Sequence, residues 1–246
     1  VRVILSKKVV VGKDVMGIIG YKAAHLQHGE DYARIPKYYE LKIDIGASSK
    51  SEAEKKVAIG DPVSFTTEYE EVGDYIIAKA LDDRGGCSLL MDLIDDGVDA
   101  NCDVYFAFTV QEETGPKWPV ILMEQLKADM VIAIETTTSG DDPELEKYLW
   151  STHLGDGPAI TFMHRGYVVS KEIFDKLVET AKESNIKFQY KMRTVGGTNA
   201  RRYAMGGMPA GVVSIPARYI HSPISEIRKD DYENTFKLLK TFLESE

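Results

Sequence analysis

Hydrophobic and polar positions fall into two regimes along the chain. Up to about residue 75 the apolar runs are short and β-branched. They cover residues 1–11 and 15–19, with Gly12, Lys13 and Asp14 as a turn signal between them. Leu41, Ile43 and Ile45 alternate with Lys42 and Asp44, the period of a half-buried strand. Ser49 and Glu52 have capping-box spacing and predict a short helix to about Val57, which Gly60, Asp61 and Pro62 stop. Another strand starts at residues 63–65. Gly17 and Gly20 suit a tight corner or bulge. The expectation for residues 1–75 is a small β-rich, barrel-like domain.

From residue 76 onward, strand-like runs alternate with helical periods. Residues 76–81 lead into Asp82, Asp83, Arg84 and two glycines. A helix follows with Cys87, Leu89, Leu90, Leu93 and Ile94 at helical spacing, ending at Gly97. Residues 104–110, Val-Tyr-Phe-Ala-Phe-Thr-Val, predict a buried strand. Residues 118–126 predict a helix, and residues 130–134 a second buried strand ending at Glu135. Residues 136–156, rich in Thr, Ser, Gly, Asp and Pro, predict a loop. Strands are expected at 159–163, 186–192 and 211–215. Ser170 can cap a helix to about Ser184, and Gly196-Gly197-Thr198 opens another whose first turn could bind an anion or cap itself. A last helix over 229–244 places Tyr232, Phe236, Leu239 and Phe242 on one face. This order predicts an α/β domain over residues 76–246, a central mixed sheet flanked by helices, with its site outside the carboxyl ends of the strands.

Bulk properties narrow the function. The chain has 246 residues, 43% hydrophobic and 28% charged, an ordinary globular composition. Its formal net charge is −9 with scattered Lys and Arg, which argues against a nucleic-acid partner. No apolar run approaches the roughly 20 residues that span a bilayer, and no leader is visible, so a cytoplasmic protein is expected. Cys87 and Cys102 lie in or beside apolar stretches and are expected to be reduced, buried thiols. Val1 falls inside a strand-like run, which suggests a chain beginning in mid-fold. His25 and His28 have no companions that would complete a metal set and are expected at the surface.

Chemistry concentrates at the predicted strand ends: Asp82, Glu112 with Glu113, Glu135, and His221. Taken singly, each has a plain explanation. Asp82 and Asp83 could cap a helix, the two glutamates could be solvated in a loop, Glu135 could start a polar loop, and His221 could be a core histidine. A sheet, however, brings its strand ends to one rim. Carboxylates with an imidazole suit zinc, cobalt or manganese. A two-metal centre needs a bridging carboxylate, terminal ligands on each side and a free base. Asp82 could bridge, Glu113 and His221 could hold one ion, Glu135 the other, and Glu112 would be left as the base.

Four separated segments carry a resemblance. They are Ala-Leu-Asp-Asp-Arg at 80–84, Gln-Glu-Glu-Thr-Gly at 111–115, Gly-Gly-Thr at 196–198 and Ile-Pro-Ala-Arg-Tyr-Ile-His-Ser at 215–222. In this order they resemble the glutamyl aminopeptidase or tetrahedral aminopeptidase family, dinuclear metal exopeptidases of which some are called endoglucanase-like. Residues 44–49, Asp-Ile-Gly-Ala-Ser-Ser, are similar to part of that family's dimerisation domain. The resemblance implies that Asp82 bridges two divalent ions, zinc or cobalt, and that the Asp82–Asp83 peptide is cis. It makes Glu112 the general base, Glu113 and His221 ligands of one ion, and Glu135 a ligand of the other, where the family more often has Asp. It also implies peptide substrates and a homo-oligomer built through the small domain.

The chain departs from the pattern in three places. The family carries a His-x-Asp motif before the dimerisation domain and this sequence has none, so the first part of the catalytic domain is expected to be missing. Pro116-Lys117-Trp118-Pro119 stands where an Arg-Gly pair is common, and Asn199 follows Thr198 where Asp is usual. The expected function is a metal-dependent aminopeptidase. One rival is a catalytically impaired relative serving as an assembly or binding subunit. The other is an endoglucanase-like glycosidase, ranked last because glycosidases set their two acids on opposite sides of the bond, whereas Glu112 and Glu113 are adjacent.

Overall fold

The computed structural model describes residues 2–115 and 118–246, apart from the side chains of residues 2, 32 and 118–120. Val1, Pro116 and Lys117, on which a strand start and a motif departure fall, lie outside the described residues. The chain divides into two compact units, Val1–Tyr69 with Ser222–Ile224, and Glu70–His221 with Ser225–Glu246.

The first unit contains β1 (Lys8–Val11), β2 (Val15–Gly20), α1 (Gly29–Ala33), β3 (Lys42–Asp44), α2 (Lys50–Ala53) and β4 (Val63–Phe65). The strands form one antiparallel sheet in the order β3-β2-β1-β4. Its interior holds Val9, Val11 and Ile19. Gly17 lets β2 and β3 approach, since a Cβ there would fall 2.5 Å from Ile43 Cγ2. The sheet is open among the described residues, with β3 and β4 as its edges. Four short strands do not supply the tilt and stagger that close a barrel. The run expected over residues 1–11 is interrupted: Arg2–Ile4 forms a 3-10 turn and Ser6 has φ 61°. The helix over α2 is capped as its sequence indicates. Ser49 Oγ accepts from the Glu52 amide at 3.2 Å, and the Glu52 carboxylate accepts from the Ser48 amide at 2.9 Å. It ends one turn earlier than residue 57.

The second unit contains β5 (Glu70–Val72), β6 (Tyr75–Ala78), α3 (Leu81–Asp96), α4 (Trp118–Leu126), β7 (Val131–Thr138), β8 (Ala159–Ile160), β9 (Met163–His164), β10 (Tyr167–Val168), α5 (Lys171–Glu183), β11 (Gln189–Tyr190), α6 (Ala200–Met205), β12 (Ala210–Arg218), β13 (Ser225–Arg228) and α7 (Lys229–Glu244). The main sheet runs β11-β8-β12-β13-β6-β5, and β7 lies parallel to β12 from Ala210↔Val131 to Ala217↔Thr138. Parallel β7–β12 and β11–β8 pairs beside antiparallel β12–β13 and β13–β6 pairs make it mixed. Strand period 2 sorts the side chains of β12 between two cores. Val213, Ile215 and Ala217 pack with Leu89, Leu93, Leu177 and Phe242 of α3, α5 and α7. Ala210 and Val212 pack on the other face with Ala200 and Tyr203 of α6 and Met123 of α4. Each fully buried Leu or Phe contributes about 1.5–3 kcal/mol of transfer free energy. No helix among the described residues is long and apolar enough to cross a membrane.

Two expectations are corrected here. Cys87 and Cys102 are free and exposed rather than buried. Cys87 falls off the stripe of α3 that buries Gly85, Leu89 and Leu93, and Cys102 lies in a bend. Residues 104–110 form no ladder among the described residues, and Tyr105, Phe108 and Val110 are exposed. A β-rich composition shows that a segment suits a pleated surface, but a strand also needs a neighbour to take its backbone hydrogen bonds.

Candidate metal centre

Left-handed turns deliver the acids and the histidine to one rim. After β6, Ala80 adopts φ 50°, and the Asp82–Asp83 peptide is cis, as the resemblance implied. Gln111, at φ 64°, turns the chain just before Glu112, and the Gly115 amide donates to the Glu112 carbonyl at 3.2 Å. After β12, Tyr219 and His221 adopt φ 58° and 60°. Such a conformation costs a non-glycine residue about 1–2 kcal/mol, and these outliers gather where a side chain has to be aimed.

Asp82, Glu113 and His221 come together. His221 Nε2 lies 3.1 Å from Asp82 Oδ2 and 3.6 Å from Glu113 Oε1. One ligand atom from each residue falls within 4.8 Å of the others. Ligand atoms at zinc's usual bond lengths sit about 3.4 Å apart in a tetrahedron, so these separations fit a divalent ion. The donor chemistry, two carboxylates and an imidazole, fits as well. The Asp82 side chain is 16% exposed while those of Glu113 and His221 are 61% and 66% exposed, so the cluster is open on one side.

The remaining acids surround it. Asp83 turns inward: the Gly86 amide donates to its Oδ1 at 3.2 Å, and the Thr136 hydroxyl lies 3.1 Å from the same oxygen. A Cβ on Gly86 would meet Asp83 Oδ2 at 2.4 Å, so any larger residue there would displace the Asp83 carboxylate. Glu135, expected to end its strand, instead lies within β7, which continues three residues further to Thr138; it stands outside the three-residue cluster and accepts a hydrogen bond from the Thr198 hydroxyl. Thr198 Oγ1 in turn accepts from the Ala200 amide at 3.3 Å. Thr198 therefore links the first amide of α6 to the Glu135 carboxylate. Burial, then neighbouring acids, push Asp83, Glu135, Glu112 and Asp82 above the ordinary carboxylate range. Lys191, 5% exposed, is the buried cation facing Glu135 and Asp82, and burial lowers its pKa. Five carboxylates with one lysine and one imidazole form a site short of positive charge.

Sequence reasoning missed Lys191, the inward role of Asp83 and a clamp beside His221. Arg218 Nε and Nη2 donate to the two oxygens of Asp141 at 2.8 and 2.9 Å, and Nη1 donates to Glu226 at 3.1 Å. Asp141 also accepts from the Leu154 amide at 3.1 Å. The clamp ties residues 139–154 to the end of β12, three residues before His221. Its one sequence signal was an acid buried in a polar loop, paired with an arginine inside the quoted Pro-Ala-Arg-Tyr motif.

The sequence profile described as M42 glutamyl aminopeptidase matches residues 1–238. A protein of Acetivibrio thermocellus named as an aminopeptidase is 38% identical over 202 residues, 81% of this chain and 61% of that protein. Among solved structures, one titled endoglucanase, from Thermotoga maritima, is 50% identical with a TM-score of 0.79, over 99% of this chain and 69% of that one. An aminopeptidase from the archaeon Desulfurococcus kamchatkensis is 35% identical with a TM-score of 0.93, over 100% of this chain and 70% of that one. The chain thus spans between six and seven tenths of the length of these proteins.

Proposed function

The chain belongs to the M42 glutamyl aminopeptidase family, and from that membership we propose that it is a metal-dependent aminopeptidase that releases N-terminal residues from peptides. The observation that carries this reading is the convergence of Asp82, Glu113 and His221 from three separate turns to one open cluster. These residues would hold one divalent ion, zinc or cobalt. Asp82 and Glu135 would be this chain's residues for a second ion. Bound there, the metal supplies Lewis-acid polarisation of the scissile carbonyl and eases deprotonation of water.

Every other part falls to side chains of the protein. Glu112, next to a ligand but outside the cluster, takes the proton of the attacking water and returns it to the leaving amine. The acidic rim attracts the ammonium of a free peptide terminus and repels a carboxyl terminus. Thr198 fixes the direction of the Glu135 carboxylate, and the Arg218–Asp141 clamp fixes the strand end that carries His221. The first unit supports a homo-oligomer, because its short open sheet exposes Met16, Ile18 and Val63. A soluble, cytoplasmic assembly acting on peptides completes the reading.

The test is release of amino acids from unblocked peptides with zinc or cobalt supplied, against the same peptides N-acetylated. Activity confined to the unblocked set, abolished by chelation and by Glu112→Gln, supports the proposal. Equal cleavage of both sets contradicts it. A glycosidase reading has the name of the Thermotoga maritima neighbour behind it and the adjacency of Glu112 and Glu113 against it. Hydrolysis of a cellulose derivative that survives chelation would reverse that order.

A further inference from the structure

The candidate metal centre is acidic, yet the surface beside it is basic. Elsewhere in the chain Arg34, Arg218 and Arg228 pair with carboxylates. Arg165, Arg193, Arg201 and Arg202 form no ion pair among the described residues, and all four are exposed. They fall around the Gly-Gly-Thr turn. Arg193 precedes it, Arg201 and Arg202 open α6 after it, and Arg165 stands on the turn between β9 and β10, a hairpin that packs on α6. In a chain of formal net charge −9, four uncompensated arginines on adjoining segments are a local reversal of charge.

Two of the four share one place. Arg165 is followed on the hairpin turn by Gly166, at φ 73°. A Cβ on Gly166 would fall 3.6 Å from Arg201 Cζ, 3.7 Å from Nη2 and 4.0 Å from Nε. Three guanidinium atoms at nearly equal distance mean that the group lies flat across the turn and leaves N–H edges for a ligand. The hairpin is fixed in turn by Tyr167, whose hydroxyl donates to the Ala210 carbonyl and whose ring packs with Ala200 and Tyr203. A guanidinium placed by packing loses little freedom when it takes a carboxylate. Helix α6 also joins this place to the acids. The Arg201 amide donates to the Thr198 carbonyl at 3.2 Å, and the Thr198 hydroxyl donates to Glu135. Arg201 thus starts within one helical turn, about 5.4 Å of axis, of the residue that touches Glu135.

A short peptide is a dipole, with an ammonium at one end and a carboxylate at the other. The acids and the arginines offer the opposite charge to each end. A phosphate-bearing polymer would bring only negative charge to a place flanked by carboxylates, so a peptide fits better. An extended chain advances about 3.3 Å per residue, which puts the termini of a tripeptide or tetrapeptide roughly 10–13 Å apart. That span suits a path from Glu135 past Thr198 to the end of the Arg201 side chain, and longer peptides overshoot it. We propose that Arg201 and Arg165 form a receptor for the C-terminal carboxylate of a tripeptide or tetrapeptide whose N-terminus sits among the acids. The protein then selects short peptides with a free carboxyl terminus. The position of the N-terminus rests on the peptidase reading, whereas carboxylate recognition is read by binding alone.

The test uses the full 246-residue chain with zinc present and Glu112→Gln in place, so that peptide is not consumed. Calorimetry compares trialanine with trialanine amide. The free acid is expected to bind at least tenfold more tightly, as a charge-assisted pair with arginine allows. Arg201→Ala and Arg165→Ala are each expected to bring that ratio below threefold. An octapeptide of alternating Ala and Gln, offered as acid and as amide, is expected to show a ratio near one. Absence of trialanine binding, equal binding of acid and amide, an unchanged ratio in either folded arginine variant, or a tenfold ratio in the octapeptide overturns the proposal. Circular dichroism checks the variants. If one does not fold, the acid and amide pairs in the chain with both arginines decide. Hydrolysis of alanine p-nitroanilide by the chain with Glu112 intact tests the peptidase reading separately, because that substrate has no carboxylate.

Discussion

His221 lies within hydrogen-bonding distance of Asp82 and close to Glu113, yet most of its ring faces solvent. A histidine held mainly by acids and open on one side is poised to give a ring nitrogen to a cation. Glu112 differs from Glu113 in exposure and in standing outside the cluster. Glu112→Gln is therefore expected to lower hydrolysis by about 10²-fold or more while leaving metal affinity within a few-fold, read by steady-state kinetics beside calorimetry. His164 illustrates a separate effect. It is 3% exposed, neither ring nitrogen has a partner among the described residues, and burial pushes its pKa down to about 4. A depressed folded value means that its contribution to stability is present above the unfolded value near 6.5 and is lost as pH falls through about 4. The difference is at most about 3 kcal/mol. Unfolding free energies measured from pH 7 to pH 4 should fall less steeply for His164→Leu than for the natural protein, and parallel curves would contradict this. The three residues that gather, Asp82, Glu113 and His221, could be singled out at this scale because each follows an apolar, strand-like run. Lys191 was not, because strand alternation alone would place it in solvent.

At the scale of elements, β12 is the spine of the second unit. It carries core residues on both faces and ends at the arginine that clamps the loop beside the site. Helix α5 packs closely on it at Gly211, where a Cβ would fall 2.5 Å from Ile173 Cγ2. Gly211→Ala is expected to cost about 1–3 kcal/mol through overpacking, whereas Phe242→Ala, which empties a buried position of α7, should cost about 3–5 kcal/mol. Urea titrations compare the two, and a neutral Gly211→Ala would show that α5 can shift freely. Helical elements were well marked in the sequence: α7 begins and ends where its apolar period does. Residues 104–110 were not, since ladder formation depends on a second segment that local pattern does not reveal. The cysteines failed for a related reason: Cys87 has apolar neighbours in sequence that are not its neighbours on the face of α3, and Cys102 lies in a bend outside any helix.

At the scale of the molecule, two compact units carry different proposed tasks: assembly for the open antiparallel sheet and chemistry for the mixed sheet. Exposed Met16 and Ile18 on β2 are the places to test assembly. Sedimentation should find a multimer that Met16→Glu with Ile18→Lys reduces toward the monomer, and a natural chain that is monomeric at all concentrations would contradict the proposed assembly. The α/β class of the second unit was readable from alternating periods. Closure of the first sheet was not, because barrel geometry depends on strand number and stagger, which turn signals do not encode.

The central claim is that Asp82, Glu113 and His221 form a divalent-cation site. Calorimetric titration of the metal-free chain with zinc tests it most directly, with His221→Ala alongside. The account predicts saturable binding of at least one ion per chain and an affinity at least tenfold weaker in the variant. No saturable binding, or equal affinity in the two proteins, would contradict it.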